Sequence, residues 1–247
     1  MLGKEDTAVR GNFLSALAMF IAVSVTFINV INPILVLVGI GIGAIIGSLI
    51  ALKVKMTSIP EMVALFNGFG GLATFFIAWS EFNSIPSNNF QYLLVMITTY
   101  IGGVTFSGSV IAYGKLSETL KVEKSSIITK LFTTLFYISI IYLLYSIFIT
   151  KIFSPGFDFY TILLILTLLG GVGFVIPIGG GDMPVVISLL NSFSGIAAAF
   201  AGLLLLNNVL IVAGSLVGAS GLILTIIMAK AMNRSIGNIL FVGYASS

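Results

Sequence analysis

Gly179-Gly180-Gly181-Asp182-Met183-Pro184-Val185-Val186-Ile187-Ser188-Leu189-Leu190-Asn191-Ser192-Phe193-Ser194-Gly195 is the stretch on which the reading of this chain turns. A glycine run and an acid stand at the mouth of an apolar helix pattern. At helical spacing, Ser188, Asn191, Ser192, Gly195 and Ala199 form one small, polar stripe. Leu189, Phe193, Ile196 and Phe200 form an apolar one. A membrane helix divided in this way packs its small face inward and can carry water or protons along it.

The stretch has a counterpart 124 residues earlier. At that offset Pro60 meets Pro184, Leu65 meets Leu189, Asn67 meets Asn191, Phe69 meets Phe193, Gly71 meets Gly195, Ala73 meets Ala197 and Phe76 meets Phe200. Seven identities in 17 aligned positions, both asparagines among them, indicate an internal repeat. Repeats that place polar groups at matching depths accompany transport paths.

Composition sets the class. Of 247 residues, 58% are hydrophobic and 8% charged, and mean hydropathy is +1.19. A soluble domain carries roughly 25% charged residues, so the deficit describes a polytopic membrane protein. A net charge of +3 gives no reason to invoke nucleic acid. The absence of cysteine excludes disulfides and thiolate metal sites, and no metal site is expected. The absence of histidine removes the usual proton carrier near neutral pH. The polar segment 1–12 lacks the apolar core of a signal peptide.

A helix needs about 20 apolar residues to cross the hydrocarbon layer. On that rule the chain is an all-α transmembrane bundle of about eight spans, near 13–30, 34–52, 59–79, 90–113, 127–149, 160–178, 183–206 and 208–231. Lys4, Arg10, Lys53, Lys55, Lys115, Lys121, Lys124, Lys130, Lys230 and Arg234 then fall on one side and Lys151 alone on the other. That bias puts the lysine-rich side and both termini in the cytoplasm.

Gly39, Gly43 and Gly47 in span 2 imply close helix packing; no strand precedes them, so a dinucleotide loop is disfavoured. Span 4 carries Thr98, Gly102, Thr105, Ser109 and Ala112 on one stripe. Span 8 carries Gly214, Gly218, Gly221 and Thr225 likewise. Spans 3–4 and 7–8 therefore read as a duplicated helix pair around a narrow centre, with spans 1, 2, 5 and 6 outside. Segment 114–126, with Lys115, reads as a solvated turn that could also dock a partner.

Candidate site residues follow from this plan. Asp182 and Glu61 stand at the mouths of spans 7 and 3. Asn191 and Asn67 lie deeper, roughly 12 Å along the helix. Ser58-Ile59-Pro60-Glu61 has the pattern of a capping box, and Asp182 that of an N-cap. For both acids, capping stands beside a coupling role. A buried asparagine can simply bond neighbouring helices. Two at equal depth on small-residue faces favour a polar path, in which they hold water without titrating.

Several runs carry a resemblance to a known family: Met56-Thr57-x-x-Pro60-Glu61-Met62-Val63-Ala64, Val104-Thr105-Phe106-x-Gly108-Ser109-Val110-x-Ala112-x-Gly114-Lys115, Gly179–Ser194 and Ala231-Met232-Asn233-Arg234-Ser235. Over nearly its whole length the chain resembles the membrane part of the β subunit of proton-translocating NAD(P) transhydrogenase. The resemblance implies proton movement coupled to hydride transfer between NAD(H) and NADP(H), with both nucleotides held in partner domains and none by this chain. It implies a bacterial inner (plasma) membrane location, an α subunit, an NADP(H)-binding domain and a dimer of αβ units. It assigns 1–234 to the proton-channel domain and 235–247 to a hinge towards the NADP(H) domain, with a further helix before Leu2. Asn67 matches a position where many members carry a histidine thought to relay the proton; members with Asn there take a histidine from a helix of the α subunit. Asn191, Asp182 and Ser109 match positions implicated in the channel or its coupling. A stand-alone small-solute or ion transporter and a purely structural membrane anchor are the alternatives.

Overall fold

The structure, a computed structural model, describes residues 5–28, 32–84, 88–121, 127–149 and 156–241. Lys4, Glu123, Lys124, Lys151 and the last six residues of the expected hinge lie outside them. The described residues are helical with no strand. The long helices are α1 (Glu5–Ile28), α2 (Pro33–Lys53), α3 (Ile59–Asn83), α4 (Asn89–Leu116), α5 (Ile127–Ile149), α6 (Phe157–Val175), α7 (Met183–Leu204) and α8 (Asn208–Ala231), followed by the short α9 (Ile236–Phe241). All eight long helices are apolar and long enough to cross a membrane. Each expected span is present, with ends that agree to within a few residues except at the start of span 1. Span 1 differs most, because the helix runs back to Glu5 through a polar segment that contains no proline.

The chain divides into two units, Met1–Lys55 and Met56–Ser247. In the first, α1 and α2 scarcely pack on each other, and α2 buries no residue. Gly39, Gly43 and Gly47 meet nothing within 4 Å. The close packing expected of them is therefore not made inside this unit: a small-residue stripe permits an approach but does not supply the partner helix.

In the second unit α4 is the hub, packed against α3, α6 and α7. Its small residues let backbones touch. A Cβ on Gly71 of α3 would lie 2.9 Å from Gly102 O and Phe106 N of α4. On the α6 side, Gly171 faces Ser107, Val104 and Gly108 in the same manner. Span 6 is thus not an outer helix as expected, since Gly171 seats it directly on α4 while Gly170 faces Ser139 of α5. Span 5 does lie outside α6, with Leu131, Ile141, Leu144 and Phe148 exposed.

The α7–α8 pair is a second seam. A Cβ on Gly195 would lie 2.8 Å from Gly218 Cα. Ser192 Oγ donates to Gly218 O (2.6 Å) and Ser188 Oγ to Gly221 O (3.3 Å). Of the stripe of Ser188, Asn191, Ser192, Gly195 and Ala199, all but Asn191 are consequently closed against α8, while Asn191 lines a groove on the α3 side. Its small residues are used up in helix contact. Each pair is entered by a single 3-10 turn, Met56–Ser58 before α3 and Gly180–Asp182 before α7. Gly71 and Gly195, aligned at the 124-residue offset, each stand at the crossing of their own pair.

Two apolar clusters close the unit. One gathers Phe82, Tyr92, Tyr160 and Leu163, with the Phe82 and Tyr160 rings stacked at 3.8 Å. The other gathers Ala64, Ala112, Val175, Ile178, Met183 and Leu190. The polar residues of interest lie between and beside them.

Replacing Gly195 by Leu should force α7 and α8 apart, at about 1–3 kcal/mol or more for overpacking. Gly39→Leu, with open space around it, should leave stability unchanged. Thermal unfolding of the purified chain in detergent compares the two. Equal melting temperatures would contradict the seam.

Candidate functional site

Asn67 sits on α3 where α3, α4 and α7 meet. Its Nδ2 donates to Ser109 Oγ on α4 at 3.0 Å. Its Oδ1 accepts from Ser194 Oγ on α7 at 2.7 Å. One amide therefore joins three helices, with donors and acceptors in one direction from Ser194 through Asn67 to Ser109. Ser109 is fully buried. Gly68, one residue after Asn67, makes this possible: a Cβ there would lie 3.1 Å from Ser109 Cβ.

The junction opens outward. Val63, Phe66, Asn67, Gly70, Asn191 and Ser194 line a groove of about 410 Å³ between α3 and α7. Asn191 stands one turn before Ser194 on α7, and its amide hydrogen-bonds to no described residue. The groove thus presents an unpaired amide and the edge of a bonded one within an apolar surface, where Val63 and Phe66 are exposed. An amide group in hydrocarbon costs several kcal/mol if left unbonded, which makes this notch a place for water or for a polar side chain of another helix.

The second group lies at the helix ends. Asp182 is mostly buried, and its Oδ1 is 3.7 Å from Arg234 Nε. Arg234 reaches it because Asn233 adopts a left-handed conformation (φ 54) after α8, and Arg234 N bonds back to Ala229 O. That is the helix-ending turn for which asparagine is suited after glycine. The 3-10 turn before α7 is closed by Asp182 N donating to Gly179 O.

Neither expected cap is formed. Ser58 and Asp182 occupy the N-cap positions of α3 and α7 with ψ near zero and no side-chain bond to the helix. A side-chain cap needs an extended N-cap residue, and the preceding 3-10 turns deny it to both. Asp182 spends its carboxylate on Arg234 instead. Glu61 is half-buried in the first turn of α3 and makes no bond with another described residue. Its place there matches the charge preference of a helix N-terminus.

Four of the five sequence-derived residues therefore fall into two places, and Glu61 lies in the first turn of α3. Asn67 and Ser109 are bonded, and Asn191 shares their groove. Asp182 is elsewhere on α7, at its mouth, with Arg234. The expected centre among four helices is corrected: the junction is made by α3, α4 and α7, while α8 packs on α7 with its small face. Two participants were missed. Ser194 is signalled only by its spacing of three from Asn191. Lys115, read as part of a solvated turn, is directed at the end of α6 (2.6 Å to Ile178 O).

Comparison with known proteins addresses the family. The family model described as the NAD(P) transhydrogenase beta subunit matches residues 1–247. The chain belongs to this family. Two curated relatives named NAD(P) transhydrogenase subunit beta, both from Rhodospirillum rubrum and one of them assigned to strain ATCC 11170, are each 37% identical over 256 residues. The match covers 99% of this chain and 54% of each relative, so the chain spans about half the length of the transhydrogenase subunits it matches.

Gly39, Gly43 and Gly47 lie within helix α2 of this beta-subunit chain, and the described residues contain no strand. The described residues bring together no group of three or more acids that could hold a metal ion.

Removing Ser109 Oγ leaves Asn67 Nδ2 unpaired. A double-mutant cycle of Asn67→Ala and Ser109→Ala should give a coupling of about 0.6 kcal/mol, the usual size for membrane pairs. Reversible unfolding in mixed micelles measures it. Strict additivity would show that the bond contributes nothing.

Proposed function

We propose that this chain is the proton-translocating membrane part of an NAD(P) transhydrogenase. It couples proton movement to hydride transfer between NAD(H) and NADP(H), carried out by partner domains. The observation that carries the reading is the junction of Asn67, Ser109 and Ser194, opening beside the unpaired amide of Asn191. A path built of amides and hydroxyls holds no proton of its own. It orients water, and water carries the proton. The charged group that titrates must then come from elsewhere. The chain contains no histidine, and the groove between α3 and α7 faces outward, so a helix of the α subunit is the proposed source.

Asp182 and Glu61 belong to the coupling end. Asp182 is held by Arg234, and Arg234 lies just before residues 235–247, the proposed hinge towards the NADP(H)-binding domain. A shift in that domain would pull on Arg234, and through it on the first turn of α7. Asn191 lies nine residues into α7 from Asp182, roughly 13 Å along the axis, so a rigid movement of α7 would alter the groove directly. The lysine distribution supports cytoplasmic termini in a bacterial inner membrane. The complex is proposed to be a dimer of αβ units.

Proton uptake into liposomes holding the complete complex, driven by NADPH and an NAD analogue, tests the reading. Asn191→Leu should reduce uptake at least tenfold while the protein still inserts. Unchanged uptake in that variant would reduce the chain to a structural anchor. Uptake of protons or solutes by the chain alone, without nucleotides, would make it a stand-alone transporter.

A further inference from the structure

Lys115 is the last basic residue of α4, yet its side chain does not extend into solvent. Its Nζ donates to Ile176 O, to Ile178 O at 2.6 Å and, more weakly, to Val175 O at 3.4 Å. Val175 and Ile176 end α6. The last carbonyls of a helix lack amide partners within it and carry the negative end of its dipole. Pro177 removes one N–H that could otherwise have answered them. An ammonium has three donors and no acceptor, and three carbonyl oxygens meet it here.

The segment it holds leads straight into the mouth of α7. Ile178 is buried. Then come Gly179, Gly180 and Gly181, of which the last two have nothing within 4 Å of a would-be Cβ. Asp182 follows, fixed by Arg234. A glycine run with open space around it is thus anchored at both ends, by Lys115 upstream and by Arg234 downstream. Lys115 also stands six residues beyond Ser109 on the same helix, roughly 9 Å along the axis. One rigid helix, α4, therefore carries both the partner of Asn67 and the latch on the glycine run.

We propose that Lys115 is a positioning residue that latches the end of α6 onto α4 and so sets the stance of the Gly179–Asp182 mouth relative to the Asn67 junction. The coupling part of this proposal rests on the function proposed above; the latch itself does not. With Lys115 in place, Asp182 is offered to Arg234 in one position. Without its charge and donors, Ile176 O and Ile178 O lose the ammonium, Val175 O keeps only Ile178 N as donor, and the glycine run becomes free to swing away from α4.

The chain has no cysteine, so a single Gly181→Cys substitution gives one reactive thiol in open space. Its labelling by a membrane-impermeant maleimide is measured in a complex whose partner subunits carry no reactive cysteine. Lys115→Met should raise the labelling rate at least fivefold with little change in melting temperature. Lys115→Arg, which keeps charge and donors, should stay within twofold of the parent. Lys115→Gln, with two donors and no charge, should lie between and serves if Lys115→Met does not fold. Parental rates in Lys115→Gln, and in Lys115→Met where it folds, would overturn the latch. Nucleotide-driven proton uptake in the same variants should fall about tenfold for Met and keep more than half for Arg. A labelling change without loss of uptake would overturn the coupling role and leave the latch standing. Because labelling makes no reference to protons, its result separates failure of the latch from failure of the proposed function.

Discussion

Backbone-to-backbone approach along α4 is the constraint on which the second unit depends. Lipid is as apolar as leucine, so helices gain nothing from hiding apolar faces from it; close packing and interhelical bonds must hold them. Gly102 and Gly108 of α4 supply that closeness towards α3 and α6. Leucines at these positions would separate the helices, and the bond from Asn67 to Ser109 could not span the gap. The polar junction is thus a consequence of the glycines rather than an independent feature.

Hydroxyls on the same helices divide by where they bond. Thr105 and Ser107 return theirs to carbonyls one turn back in α4, at 2.6 and 3.0 Å. Such bonds satisfy the side chain without linking anything. Ser109, Ser188, Ser192, Ser194 and Thr99 bond across helices instead, Thr99 to Tyr160 at 2.7 Å. Of the crossing bonds, those of Ser188 and Ser192 end on backbone carbonyls in a closed seam. The bonds to Asn67 end on a side chain that also meets an open groove. That difference separates structural polarity from a candidate path.

The eight spans were legible because length and hydropathy determine them almost alone in a bilayer. The meaning of the small stripes was not. Gly39, Gly43 and Gly47 have the same spacing logic as Gly214 and Gly218, yet the first set meets nothing within its own unit and the second lies against α7. Periodicity reports that a face is small, not what occupies it. Asn67 and Ser109 were found because polar residues are rare in such spans, whereas Ser194 is one serine among several. The capping box failed for a local reason: a 3-10 turn before α3 changes ψ at Ser58, and four letters of sequence do not encode that turn. Lys115 was misread because charge counting assigns a side of the membrane, not a direction for a side chain. Long lysine stems can point either way.

The placement of charge carries the functional reading furthest. Between Glu61 and Glu81 on α3, between Asp182 and Lys230 on α7 and α8, and from Asn89 to Tyr113 on α4, the sequence holds no Asp, Glu, Lys, Arg or His. A charge at mid-membrane costs about 2.5–3.5 kcal/mol even by insertion scales, and this chain avoids that cost by using amides and hydroxyls there. The consequence is that no carboxylate or amine in the middle of α3, α4, α7 or α8 can respond to a proton by changing its own charge. On the proposed function, communication between the groove and the nucleotide domain must therefore be mechanical, through the position of whole helices. The described charges are arranged to suit that: Arg234 holds the first turn of α7 through Asp182, and Lys115 holds the turn that feeds it. Between them lie three glycines, outside both α6 and α7.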